Sequence, residues 1–320
     1  MTGKEYKKNF SFTAGLDDSG KRLDIFLASM IPYKSRNYLQ KLIESGIVLV
    51  NNNPVEKNYK LVHGDQIRIT DIDFLEPDLN IKPQDIKLKI RYEDDYLVII
   101  SKDPYMSVHP AAGNYENTIA NALLFYFKRN VKDFSDASRP GIVHRLDKNT
   151  SGLLIAAKND SIQAKVSELF RERKVSKVYK SLVLGNFNEK NGTIILPVAR
   201  SRLDRRKITV SADSGKKSET RFTVVESFKN CTLVDVFPVT GRTHQIRVHF
   251  NYIGHPVIGD SVYGNSETER IARAISLERQ FLHACKLAFL HPVTGLKIEV
   301  EDDLSEDLKK SLEFLRKNKI

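Results

Sequence analysis

One short run holds a carboxylate, two strong cations and an imidazole: His144-Arg145-Leu146-Asp147-Lys148, which leads through Asn149-Thr150-Ser151-Gly152 into the apolar stretch Leu153-Leu154-Ile155-Ala156-Ala157. A carboxylate so placed can act as a nucleophile. Cations within a few ångströms lower its pKa and keep it ionised. The same residues also suit a solvent-facing turn in which Asp147 only caps the backbone. Local composition leaves the two readings level.

A second run, Thr240-Gly241-Arg242-Thr243-His244-Gln245-Ile246-Arg247-Val248-His249, sets cationic and imidazole groups beside apolar ones, without deciding between strand and helix. With His109, His255, His283 and His291 elsewhere, a metal centre is the obvious rival. No metal is expected, because no tight ligand spacing such as H-E-x-x-H occurs. Gly15-Leu16-Asp17-Asp18-Ser19-Gly20-Lys21 fits a phosphate-cradling pattern, but Arg22 follows where magnesium binding needs Ser or Thr. Asp17 and Asp18 would also repel phosphate, so a helix-leading turn is expected there instead. Cys231 and Cys285 are far apart among apolar neighbours and read as buried thiols.

The elements that must position these runs fall into two groups. Helical spacing at Arg22-Leu23-Asp24-Ile25-Phe26-Leu27 and at Tyr38-Leu39-Gln40-Lys41-Leu42-Ile43 predicts two short helices, capped by Asp18 or Ser19 and by Ser35. A hairpin should follow, from Ile47-Val48-Leu49-Val50 through Asn51-Asn52-Asn53-Pro54 to a last strand near Ile67. The acidic, proline-bearing stretch from Asp71 to Gln84 reads as a linker. Beyond it, strands are expected at 96–100, 153–157, 179–184, 222–225 and 232–236. Helices are expected from Asp160, with Gln163 as capping partner, and through Leu304, Leu308, Leu312 and Leu315. Helices interrupting strands without βαβ alternation predict an α+β domain on a mixed, largely antiparallel sheet, preceded by a small α/β domain. The boundaries are 18–75, 76–86 and 87–320.

A formal net charge of +11 over 320 residues calls for a polyanionic partner, because Lys and Arg gain free energy by releasing counterions from phosphates. A polar N-terminus and the lack of a long apolar run favour nucleic acid over a membrane, and a cytoplasmic location.

The stretch from Gly141 to Leu153 resembles the signature of the RluA/RluD-type RNA pseudouridine synthases. Similar in the same order are Glu93 to Lys102 with Val108-His109-Pro110, Lys177-Val178-Tyr179-Lys180, Gly241 to His249, Gly254 to Asp260, Tyr263-Gly264 and Leu282-His283-Ala284. One departure stands out: the family commonly reads Lys-Pro-x-Gly where this chain has Lys102-Asp103-Pro104-Tyr105. Residues 22–65 resemble the ribosomal-protein-S-four-type RNA-binding domain through Arg22-Leu23-Asp24, Ser35-Arg36, Leu42 to Asn51 and Gly64-Asp65.

The resemblance implies an isomerase that needs no cofactor, with Asp147 as nucleophile on either the ribose or the base. Tyr179 would stack on the target base, and Arg247 would pair with Asp147. Arg145 would fill the gap in the RNA stack, and His144, Lys148, His109 and Arg242 would stand at the pocket rim. Arg22, Ser35, Arg36 and Lys41 would meet RNA phosphates. The basic segment from Arg200 to Lys207, with Lys216 and Lys217, is either an RNA-gripping loop or a solvated hairpin. The implied partner of this monomer is ribosomal RNA or a ribosomal-subunit precursor, with transfer RNA second. A non-catalytic RNA-binding assembly or stress protein is the main alternative, and a nucleoside glycosidase, which would need a second positioned carboxylate, is a third.

Overall fold

The computed structural model describes residues 9–31, 36–70, 81–110, 116–128, 134, 139–201, 203–204 and 207–318. Two compact units are present: residues 1–80 with 131–140, and residues 81–130 with 141–320.

The first unit holds β1 (Phe10–Thr13), α1 (Leu23–Met30), α2 (Arg36–Glu44), β2 (Val48–Val50), β3 (Asn53–Pro54) and β4 (Gln66–Ile69). Its antiparallel sheet has the order β1-β4-β2-β3. Leu23, Phe26 and Leu27 of α1 and Leu39, Leu42 and Ile43 of α2 bury the apolar stripes that their spacing predicts, against Val48, Val50, Ile67 and Ile69 of the sheet. Asn51 and Asn52 both take positive φ, +51° and +65°, the backbone that a two-residue hairpin turn requires. Strand β1 was not expected; Phe12 sets its ring edge-on to Phe26, so the unit begins ahead of residue 18.

The first helix cap is also different. Arg22 holds the cap position of α1 without a side-chain cap bond, while Asp18 accepts hydrogen bonds from the Gly15 amide and Lys21. Residues 16–18 form one 3-10 turn, so the Gly15 to Lys21 pattern does not open a helix as a phosphate cradle must. Ser35, and residues 71–80 of the expected linker, lie outside the described residues.

In the second unit the strands are β5 (Lys89–Glu93), β6 (Leu97–Lys102), β7 (Ser151–Ala157), β8 (Ser176–Leu184), β9 (Asn191–Ile195), β10 (Val198–Arg200), β11 (Ile208–Val210), β12 (Glu219–Ser227), β13 (Cys231–Pro238), β14 (Leu282–Leu290) and β15 (Lys297–Glu301). The helices are α3 (Ile119–Tyr126), α4 (Asp160–Arg171), α5 (Gln245–Tyr252), α6 (Ser266–Ala274) and α7 (Glu306–Asn318). Nine strands form one sheet in the order β5-β6-β7-β14-β8-β13-β12-β9, with β15 on β14, and only β7 and β14 run parallel. The α+β class and mixed, largely antiparallel sheet are those that the sequence predicts. Strands β10 and β11 make a separate hairpin.

Alternation along the central strands sets two faces. Leu182 and Leu184 of β8 pack with α6 and α7, whereas Val183 faces Ile246 and Phe250 of α5. The last helix starts at Glu306, so Leu304 precedes it and only Leu308, Leu312 and Leu315 lie on its buried stripe. Cys231 is buried as expected, but Cys285 is only partly so.

The turn ahead of β7 is held from below by two buried cations. Lys102, at the end of β6, donates from Nζ to the carbonyls of Asp103, Met106 and Lys148 at 2.7, 3.0 and 3.0 Å. Burial, then the Arg279 charge, lowers its pKa to about 7, while three carbonyl acceptors favour the full ammonium. Arg279 donates from Nη1 to the Asn149 carbonyl at 2.8 Å and anchors on Asp307 of α7. The departure noted at residues 102–105 has a structural counterpart: Tyr105 takes a φ of +67°, where glycine would be unstrained. Gln163 does not cap α4. Asn159 accepts the Ile162 amide instead, and Gln163 spans the Gly141 amide and the Ile142 carbonyl, fixing the approach to the turn.

At Gly152, φ is +110° and a Cβ would overlap the Ala284 backbone on β14. Gly152→Ala should therefore destabilise the chain by at least about 1–3 kcal/mol, the usual cost of a strained backbone residue. Urea unfolding followed by circular dichroism checks this, and an unchanged midpoint would contradict the close approach.

Candidate active site

Asp147 leaves the turn ahead of β7 and meets Arg247, on the first turn of α5, with Nη1 to Oδ2 at 3.0 Å. The family resemblance implies that this guanidinium pairs with the carboxylate, and it does so through one bond. The fork goes elsewhere: Nε and Nη2 of Arg247 grip Asp260 at 2.6 and 2.7 Å, leaving one N–H for Asp147. Asp260 is in turn fixed by the amides of Val262 and Tyr263. The guanidinium carbon lies 5.0 Å from the Tyr263 ring centroid. Burial opposes the Arg247 charge, but hydrogen bonds and charge from Asp260, joined by those of Asp147, outweigh it and hold its pKa above the ordinary range. Asp147 thus faces a permanent cation while keeping 18% of its side chain exposed.

The cleft in front of it has a volume of about 480 Å³, within the ordinary span of ligand sites. Of the residues singled out from sequence, Asp147, Tyr179, Arg247, Arg145, His144 and Arg242 line it, and Lys148 and His109 do not. Lys148 is exposed and offers only its carbonyl, to Lys102. Tyr179 lies on β8, where burial and then the Asp147 charge push its phenol pKa up, so the hydroxyl stays protonated. His144 lines the cleft and also serves the fold. Its Nε2 accepts the Ile155 amide at 2.8 Å, its ring stacks on Phe170 at 4.5 Å, and burial pushes its pKa down to about 3. It is a neutral imidazole that holds the turn against β7.

Sequence reasoning missed several neighbours. Lys177, with a pKa lowered by burial, and Arg171 and Arg173 also line the cleft. His244 does too, with Nε2 3.9 Å from Asp147 Oδ1. The lining therefore has six Lys or Arg residues and Asp147 as its single carboxylate, among the described residues. Alternating polar positions in the run 240–249 were the available signal for His244, whereas nothing local marks Asp260.

One other constellation lies outside the cleft lining. Ser151 Oγ lies 2.9 Å from His283 Nδ1, and His283 Nε2 lies 3.6 Å from Asp302, an order reminiscent of a hydrolase. All three are buried, and Ser151 also accepts from Arg279. Among the described residues no group of three or more His, Cys, Asp or Glu is placed to hold a metal ion.

In the first unit, Arg22 and Arg36 converge on the fully buried Asp24, at 3.0 and 2.8 Å, and Gln40 joins them. Both arginines remain well exposed, so the buried carboxylate fixes two outward cations. Lys41 is exposed on the same helix as Arg36.

Asp260→Asn removes the fork acceptor and leaves Arg247 buried with too little counter-charge. Breaking such a pair costs about 3–5 kcal/mol. Thermal unfolding of the variant should show a clear loss of stability, and a wild-type melting curve would refute the bridging role.

The RNA pseudouridylate synthase family profile matches residues 96–252, and the S4 domain profile matches residues 21–67. A ribosomal large subunit pseudouridine synthase D of Zymomonas mobilis is 38% identical over 295 residues, covering 91% of this chain and 92% of the relative. YlyB, an uncharacterized RNA pseudouridine synthase of Bacillus subtilis, is 40% identical, over 96% of this chain and 98% of its own. The solved structure of human RNA pseudouridylate synthase domain containing 4 superposes with a TM-score of 0.57 at 25% identity, over 71% of this chain and 93% of that one. Motifs, fold and near full-length identity agree: the chain belongs to the RNA pseudouridine synthases, with an S4 domain ahead of the catalytic unit.

Proposed function

We propose that the chain isomerises uridines in large-subunit ribosomal RNA, in the cytoplasm and as a monomer, with Asp147 as nucleophile. The observation that carries the site assignment is the single carboxylate of a six-cation cleft, fixed by one guanidinium N–H at 3.0 Å. The substrate assignment rests on the similarity to the ribosomal large subunit pseudouridine synthase D of Zymomonas mobilis. Among the described residues no helix is long and apolar enough to cross a membrane.

The base must leave the RNA stack to reach Asp147, a cost of a few kcal/mol that contacts in the cleft have to offset. Tyr179 supplies an aromatic face, and stacking on such a ring is worth about 1–3 kcal/mol per base. Arg145 is exposed at the cleft beside Asp147 and is placed to occupy the gap left behind. Asp147 then attacks either the ribose anomeric carbon or carbon 6 of the ring, and the bond from the anomeric carbon to the ring nitrogen breaks. The base turns, carbon 5 bonds to the anomeric carbon, the bond to Asp147 breaks in turn, and the proton lost from carbon 5 is matched by the one that the freed nitrogen gains. Because the Tyr179 phenol stays protonated, it can take the carbon 5 proton only by passing on its own hydroxyl proton in the same step. Arg22, Arg36 and Lys41 hold RNA phosphates from the first unit, contacts that position without reading sequence.

Asp147→Ala should abolish pseudouridine formation on a large-subunit RNA transcript while RNA affinity stays within about twofold, since phosphate contacts dominate binding. Residual product would refute the nucleophile, and product on transfer RNA alone would redirect the substrate assignment. Removing residues 1–80 should flatten the salt dependence of RNA binding, because each lost phosphate contact lowers the slope by about one. An unchanged slope in filter-binding titrations would count against a phosphate-binding role for the S4 unit.

A further inference from the structure

His244 and Arg173 are the two non-glycine cleft residues with a left-handed backbone among the described residues, and of these His244 stands beside Asp147. It has a φ of +53° at the cap position of α5, and its side chain makes no cap bond. A left-handed conformation at a non-glycine residue costs of order 1–3 kcal/mol and persists only where its surroundings fix it. What fixes it is Tyr263. The Tyr263 hydroxyl lies 2.8 Å from His244 Nδ1, and the rings meet edge-on.

That hydroxyl already accepts the amide of Ile208, the first residue of β11, at 2.8 Å. Among the described residues Nδ1 is the one acceptor within reach of its own proton, and donation there leaves the proton of a neutral imidazole on Nε2. Burial disfavours the imidazolium, and the charges of Asp147 and Arg247 pull in opposite directions. Nε2 stands 3.9 Å from Asp147 Oδ1, too long for a hydrogen bond and close to where a reacting base must lie.

We propose that His244 is a catalytic residue whose Nε2–H donates to a carbonyl oxygen of the uracil ring, with Tyr263 as the residue that positions it. This rests on the reading of Asp147 as nucleophile. Whether the carboxylate attacks ribose or ring, electrons move onto the pyrimidine and negative charge grows on its carbonyl oxygens. A preorganised N–H aimed there stabilises that charge more than the ground state. His244 keeps its proton throughout. The Ile208 amide also ties the donor to the β10–β11 hairpin, so a hairpin that moves on RNA would move the donor with it.

The test uses the full-length chain and an unmodified large-subunit RNA transcript in single-turnover assays, with affinity measured in parallel. His244→Ala should lower the rate about a hundredfold, the loss typical of a missing oxyanion donor, with RNA affinity nearly unchanged. His244→Gln, whose amide nitrogen can replace Nε2–H, should recover at least tenfold of that loss. Tyr263→Phe keeps the ring under Arg247 and should lower the rate about tenfold, since one donor is left intact but unlocked. Imidazole nitrogen-15 shifts of the free protein, with His244 assigned by its absence in His244→Gln, should report an Nε2–H tautomer in the wild type and its loss in Tyr263→Phe. A wild-type rate in His244→Ala, no recovery in His244→Gln, or an Nδ1–H tautomer would each overturn the proposal. A wild type inactive on this transcript would refute the substrate assignment instead, and the tautomer measurement would still decide the role of Tyr263.

Discussion

The buried guanidinium of Arg247 is the constraint on which the second unit turns. It has one charge and five N–H donors, and it spends the better geometry on Asp260, which is wholly buried, and a single bond on Asp147, which is not. That division has a physical consequence. A carboxylate gripped by the full fork and screened from water would be a stable ion pair and a poor nucleophile. Asp147 instead keeps solvent access, and among the described residues its Oδ1 accepts no hydrogen bond, while Asp260 balances part of the Arg247 charge. The pair Arg247 and Asp260 is thus a fixed electrostatic base plate, and the reactive group stands at its edge.

The backbone carrying Asp147 is held just as firmly. Lys102 and Arg279 pull on the carbonyls of Lys148 and Asn149, two successive residues after Asp147. Behind them Gly152 lets β7 approach β14 more closely than a side chain would permit, at the one parallel junction of the sheet. His144 ties the front of the turn to the Ile155 amide. Cations buried under a turn are costly unless every donor finds an acceptor. Here the acceptors are the carbonyls whose positions matter, so satisfying the lysine and the arginine and placing the carboxylate are the same event.

Much of this was legible in the sequence. The helices α1, α2 and α4 and the five strands named in advance follow from apolar periodicity, which burial against a sheet enforces. Asp147, Tyr179 and Arg247 do converge on one cleft. What escaped was whatever depends on partners distant in the chain. Gln163 looks like a capping residue because its spacing from Asp160 is right, yet it bonds to Gly141 and Ile142, about twenty positions away. The neighbours of His144 suggest a place at the cleft, but its stack on Phe170 and its bond to the Ile155 amide leave no mark in the local run. Lys102 and Asp260 end stretches that resemble the family, but nothing local shows that they or Arg279 are buried, since a charged residue is read as exposed until its acceptors are known.

The state of each group around Asp147 also argues for the class of reaction. Hydrolysis of a glycosyl intermediate needs a base to activate water, and glycosidases supply a second carboxylate for that task. No second carboxylate lines this cleft among the described residues, since Asp260 lies behind the guanidinium. The imidazole lone pairs are occupied as well: the Ile155 amide points at His144 Nε2, and the Tyr263 hydroxyl takes up His244 Nδ1. Tyr179 keeps its proton. A base detached by Asp147 would therefore find donors and an aromatic face to hold it, and among the described residues water would find no second carboxylate to activate it. Return of the base through carbon 5 then faces less competition from hydrolysis, which is the requirement that separates an isomerase from a glycosidase built on the same first step.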